Sequence, residues 1–243
     1  MIALLATAAL AQDAVAADVV GQGIATLATA GSDAEVGSAV RWIVLMTSLS
    51  VLPGVVLLMT PFTRFVIVFS LLRQALGLQQ APPNQVLLGL ALVLTVAVMR
   101  PTLDEVNEVA LQPYLAGTVD TPTAVEAGMA PMRRYMLEHT QRDELGTAIR
   151  IARIERPDTL DDLPASVIVT GYVLSELGAA FVTGIKVYAP FLVVDLVVSS
   201  ILLGMGMMML PPVVISLPFK LLLFVLMDGW SLLVLGLTGA GGP

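Results

Sequence analysis

The chemistry this chain can do is concentrated in a nine-residue turn, Gly204-Met205-Gly206-Met207-Met208-Met209-Leu210-Pro211-Pro212, set inside 24 residues without a formal charge, Leu196 to Phe219. Paired prolines lack the N–H and glycines leave the backbone free, so a helix must break here. Methionine is unbranched and polarizable, and it closes against surfaces of varying shape. The chemistry on offer is a deformable apolar seal lining a passage, with Met205, Met207, Met208 and Met209 as its candidates. The same residues also suit plain gap filling in a membrane helix, and composition does not choose between the two. Broken backbone at membrane depth persists only where protein buries it or a cavity opens beside it.

The second chemical resource is charge in apolar company: Arg64, Arg73, Glu176, Lys186, Asp195, Lys220 and Asp228. Each costs about 2.5–3.5 kcal/mol at the centre of a membrane helix, so each must be paired, solvated or near a boundary. Arg64 and Arg73 lie nine positions apart, about 180° around a helix, and cannot share one partner. Glu176 and Lys220 stand in otherwise uncharged segments and are expected to pair between neighbouring subunits. The alternative for any one of these residues is snorkelling to a headgroup boundary.

Catalytic patterns are missing from the sequence. There is one histidine, no cysteine, no HExxH, no P-loop and no dinucleotide glycine fingerprint. His139 sits in a polar run and reads as a solvated surface residue. The chain is expected to be no enzyme and to hold no metal or cofactor.

These residues need elements to carry them, and the composition says of what kind. Of 243 residues 57% are hydrophobic and 13% charged, against roughly 25% charged in soluble domains, which marks a membrane-class protein. The net charge of −7 argues against a nucleic-acid partner. Residues 1–16 read as a signal peptide lacking Lys or Arg in its first segment, with an alanine-rich terminus as the alternative. A polar segment follows over 17–41. Residues 42–100 form an apolar helical hairpin around the turn Gln79-Gln80-Ala81-Pro82-Pro83-Asn84. The 101–164 region is polar and acidic, with twelve acids and six arginines between Asp104 and Asp162. Residues 165–243 are apolar again. There Gly171, Ser175, Ala179 and Thr183 recur every fourth position, a small-residue stripe that suits close helix approach or arises by chance. The fold class is all-α, built of membrane-derived hairpins with broken helices. Bends are expected at prolines such as Pro218, and hydropathy suggests about four crossings.

The runs Leu58-Met59-Thr60-Pro61-Phe62-Thr63-Arg64, Ser70 to Gly77, Gln79 to Leu92, Pro190-Phe191-Leu192-Val193-Val194-Asp195, Gly206 to Pro212, Ile215 to Leu226 and Asp228-Gly229-Trp230 stand out. Together they resemble the FliP family of flagellar protein-export gate components. The likeness spans roughly Leu45 to Leu237. Virulence-type secretion homologues share much of it, and the double proline Pro211-Pro212 favours the flagellar branch.

The resemblance implies a ring of copies of this chain, joined by FliQ-like and FliR-like subunits into a helical export gate and fed by FlhA-like and FlhB-like components. Unfolded flagellar subunits would pass through it. The implied place is the bacterial inner membrane, in the flagellar basal body, largely on its periplasmic side. Met207, Met208 and Met209 then match the loop that closes round the channel, and Tyr188 matches a pore-facing aromatic. Glu176 and Lys220 match charged positions at subunit contacts, to which Arg64, Arg73 and Asp195 are added as candidates. Some positions depart from the pattern: Pro61 stands where serine is usual, and Thr170-Gly171-Tyr172 replaces Pro-Ala-Phe. Lys186 and Tyr188 replace an apolar residue and phenylalanine. Two rival readings stand beside the gate. A solute transporter or ion channel would use the intramembrane charges as its pathway and show inverted repeats, of which none is visible. A scaffold would keep the methionines as packed core.

Overall fold

The computed structural model describes residues 40, 42–43, 46–47, 50, 53–78, 80–155, 159–207 and 210–238. The 1–16 signal segment and nearly all of the 17–41 segment lie outside the described residues. The chain divides into two units, Met1–Leu57 and Leu58–Pro243. In the first, every described residue from 40 onward is helical. There the Thr47 and Ser50 hydroxyls donate to the carbonyls of Ile43 and Met46, one turn back.

The second unit is built of helices joined by turns, with no strand among its described residues. Its elements are α1 (Phe62–Ala75), α2 (Asn84–Val106), a π-helical turn (Asn107–Leu111), α3 (Gln112–Leu115), α4 (Thr121–His139) and α5 (Arg142–Ala152). A 3₁₀ turn (Leu160–Asp162), α6 (Ala165–Gly204), α7 (Pro212–Leu226) and α8 (Gly229–Thr238) complete it.

The central element is α1. Phe65, Val68, Phe69, Leu72 and Ala75 recur at helical spacing and are all buried. They form one core with Leu87 and Ala91 of α2, Ala180 and Phe191 of α6, Phe224 of α7, and Leu233 and Leu237 of α8. α1 crosses α6 closely enough that a Cβ on Gly184 would overlap the Leu71 side chain. A second core gathers Met59, Met99, Tyr135, Met136, Leu145, Ala148, Ile168 and Tyr172. It docks the polar α4–α5 region on the first turns of α6. Of the small-residue stripe, Gly171 lets Leu145 approach, since its absent Cβ would lie 3.3 Å from the Leu145 backbone. Ser175 accepts the Gln141 N–H at 2.9 Å. These two positions of the stripe therefore seat α5 and its lead-in residue within the same chain.

Composition and helix ends do not coincide. The shift to acidic sequence near residue 101 falls inside α2, which runs through Pro101 to Val106. Pro190 and Pro218 likewise sit inside continuous helices. A bend of 65° lies between α7 and α8. There Asp228 takes φ +49, a left-handed conformation that Asp tolerates better than most residues. Among the described residues two helical stretches, Asn84–Leu115 and Ala165–Gly204, are long and apolar enough to cross a membrane. The bent α7–α8 pair makes a third if it is one span. With about 20 residues sufficient for a span, the 40 residues of α6 exceed one hydrocarbon layer.

At the bend, Gly229→Ala is expected to cost about 1–3 kcal/mol through overpacking. A Cβ there would overlap the Phe224 ring, which is already edge-on to Trp230 at 5.6 Å between centroids. Thermal unfolding in detergent checks this; an unchanged midpoint would show that the ring can step aside.

Candidate functional site

The methionine-rich turn is built by two capping devices. At the end of α6, Gly206 adopts φ +75. Its N–H bonds the Leu203 carbonyl and the Met207 N–H bonds that of Leu202, both at 3.0 Å. This paired pattern with a left-handed glycine closes a helix cleanly. On the other side α7 starts with Pro212 in its first helical position, where the missing N–H costs nothing. Met205 and Met207 are 58% and 39% exposed, so neither fills this chain's own core. Met208 and Met209 lie outside the described residues.

The helices that carry the turn are fastened by a buried polar clasp. Lys220 of α7, 2% exposed, donates to Asp195 Oδ2 of α6 at 2.6 Å and to the Ala75 carbonyl at 2.9 Å. Ser216, fully buried, donates to Asp195 Oδ1 at 2.5 Å. The role of Ala75 follows from the helix end. The last four carbonyls of a helix lack intrahelical donors. In α1 the carbonyls of Leu72, Arg73 and Gln74 receive the N–H groups of Leu76, Leu78 and Gly77. The fourth receives the lysine ammonium, a cation at the negative end of the helix dipole.

A second buried pair lies at the opposite end of α1. Arg64 Nε is 3.2 Å from Glu176 Oε2 of α6. The angle makes this an ion pair rather than a hydrogen bond. Glu176 is 3% exposed and shares the site with Tyr172 and Tyr135, whose rings meet edge to face at 6.1 Å. Burial, and then the Glu176 carboxylate, push the Tyr135 phenol above its ordinary value, so it stays neutral beside the acid. His139 is exposed and stacks on Tyr135 at 4.2 Å.

Within the chain Glu176 and Lys220 each meet another partner, Arg64 and Asp195, so each enters any contact between subunits already paired. The reason is geometric: α1 lies along α6 and brings Arg64 to one end of the crossing and its own terminal carbonyl to the other. Arg73 points away from Arg64 and donates to Asn84 Oδ1 at 2.7 Å and to the Pro82 carbonyl at 3.2 Å, which pins the α1–α2 turn. Tyr188 is half-buried and packs against the α1 core. Lys186 and Asp228 are exposed. Ser216 was not singled out by sequence reasoning. Its signal was present, for Ser216 and Lys220 are the polar residues one turn apart on an apolar helix and share a face.

Fold and site together define an all-helical membrane protein in which a methionine-rich turn rides on two apolar helices clasped by buried charge. The profile of the FliP family matches residues 45–237, and the chain belongs to that family. It is 47% identical over 204 residues to the flagellar biosynthetic protein FliP of Bacillus subtilis (strain 168), covering 84% of this chain and 92% of that one. It is 46% identical over 208 residues to the protein of that name from Caulobacter vibrioides, covering 84% and 78%. With the namesake from Pectobacterium carotovorum it shares 49% over 195 residues, covering 80% and 76%.

Proposed function

We propose that this chain is a core subunit of the flagellar protein-export gate. Several copies, with FliQ-like and FliR-like subunits, enclose a channel for unfolded flagellar proteins, and the methionine-rich turns close it at rest. The coarser part of this reading, a membrane component of the flagellar export apparatus, follows from family membership and the long apolar helices. The finer part is carried by one observation: Met205 and Met207 project from a cleanly capped turn instead of packing inside their own chain. That counts against the scaffold reading, in which the methionines are core.

Mechanistically, thioether side chains from symmetry-related turns meet in a dry constriction that holds back ions and water. A passing polypeptide displaces them without demanding a particular sequence, since their contacts are nonspecific. The chain does no catalysis of its own. FlhA-like and FlhB-like components deliver substrates, and the driving force comes from those partners and the proton motive force. The site of action is the inner membrane of the basal body, toward its periplasmic side.

Deleting Met207 to Met209 tests this directly. Cells carrying the deletion should become leaky to ions while the purified complex keeps its mass. Unchanged conductance with intact assembly would remove the seal from the account.

A further inference from the structure

We infer that Ser216 is a positioning residue: it holds the Asp195 carboxylate toward Lys220 and so fixes the spacing of the two helices that carry the methionine-rich turn. Asp195 stands on α6 nine residues before its last residue, Gly204, and Ser216 stands four after the first residue of α7, Pro212. The clasp therefore sits about 13 Å below the turn along α6, and between the two no other side-chain hydrogen bond joins these helices among the described residues. A carboxylate alone can swing between rotamers. Here its two oxygens are taken by different donors on one face of α7, Ser216 at Oδ1 and Lys220 at Oδ2, and this sets its plane. The serine hydroxyl has a single proton. The 2.5 Å contact to Asp195 takes it in preference to the Val213 carbonyl at 3.2 Å, so the bond spans two helices rather than closing within one. Lys220 spends a further donor on the Ala75 carbonyl, which ties the carboxylate plane to the end of α1. Loss of the serine hydroxyl leaves Lys220 as the only side-chain donor to Asp195 among the described residues and frees one oxygen to rotate.

The consequence for leak rests on the gate reading, whereas the spacing of α6 and α7 does not, and the experiment separates the two. The chain has no cysteine, so spin labels at Ser200→Cys and Val214→Cys, both exposed positions, report the α6–α7 distance. Labelled copies are diluted among unlabelled ones in the purified complex. Ser216→Ala should lengthen and broaden the distance distribution. Asp195→Asn should do so too, and adding Ser216→Ala to it should change little more, because the serine acts through that carboxylate. Additive shifts, or an unshifted Ser216→Ala, would overturn the assignment. If Ser216→Ala fails to assemble, Ser216→Thr keeps the hydroxyl and should retain the native distance; a shifted distance there overturns it as well. Ion leak is read in the same variants. A shifted distance without leak sinks the gate and leaves the positioning role. Leak in the methionine deletion with an unshifted Ser216→Ala does the reverse.

Discussion

Arg64→Met should lower stability by about 3–5 kcal/mol, the cost of leaving one member of a buried ion pair without the other. The stranded group is Glu176, nearly all of its side chain out of water and flanked by two phenols. Reversal of both, Arg64→Glu with Glu176→Arg, should recover much of what either reversal alone loses. The pairing seen here makes a further demand. Glu176→Lys with Lys220→Glu should show no rescue, because these two residues serve different clasps. Thermal unfolding and the yield of assembled complex measure both series. Rescue in the second and not the first would place the working pair across subunits after all.

Lys220→Met should be nearly as damaging. Methionine fills the lysine stem with little change of volume, so the loss isolates the ammonium. Among the described residues Asp195 then faces an apolar helix with only Ser216 as donor, and the Ala75 carbonyl loses the ammonium. The Asp195 side chain is 30% exposed, and water tempers the penalty, so the lower part of the same range, about 3 kcal/mol, is expected. Lys220→Arg tests whether charge alone suffices. A planar guanidinium does not reproduce two point contacts in a site of this size, so only partial recovery should follow. Full recovery by arginine, or no loss with methionine, would show that the clasp carries little of the fold.

How far the sequence reveals this molecule depends on which signal is local. The break at Gly204–Pro212 was legible because proline and glycine act on their own backbone, and the structure ends α6 and starts α7 there. The opposed directions of Arg64 and Arg73 followed from helix geometry, and the two do find separate partners. Partner identity was not legible. Arg64 meets Glu176, and Lys220 meets Asp195 and Ala75, over separations that only tertiary packing decides. Prolines were a partial guide, for Pro61 and Pro211-Pro212 stand where helices begin, whereas Pro190 and Pro218 lie inside continuous helices. Pro190 and Pro218 remove one donor each, but long apolar helices held by neighbours absorb that loss. The bend fell at Asp228-Gly229, a turn-forming dipeptide that a reading of Asp228 as a charge passes over.

One carbonyl carries a last implication. The chain is made from its N-terminus onward, and among the described residues the donor to the Ala75 carbonyl is a lysine 145 positions later, which must first emerge and dock. The earliest apolar hairpin is thus completed by a late-synthesised stretch. A chain halted before Lys220 leaves the end of α1 open to water, and the ammonium closes it only when α7 packs.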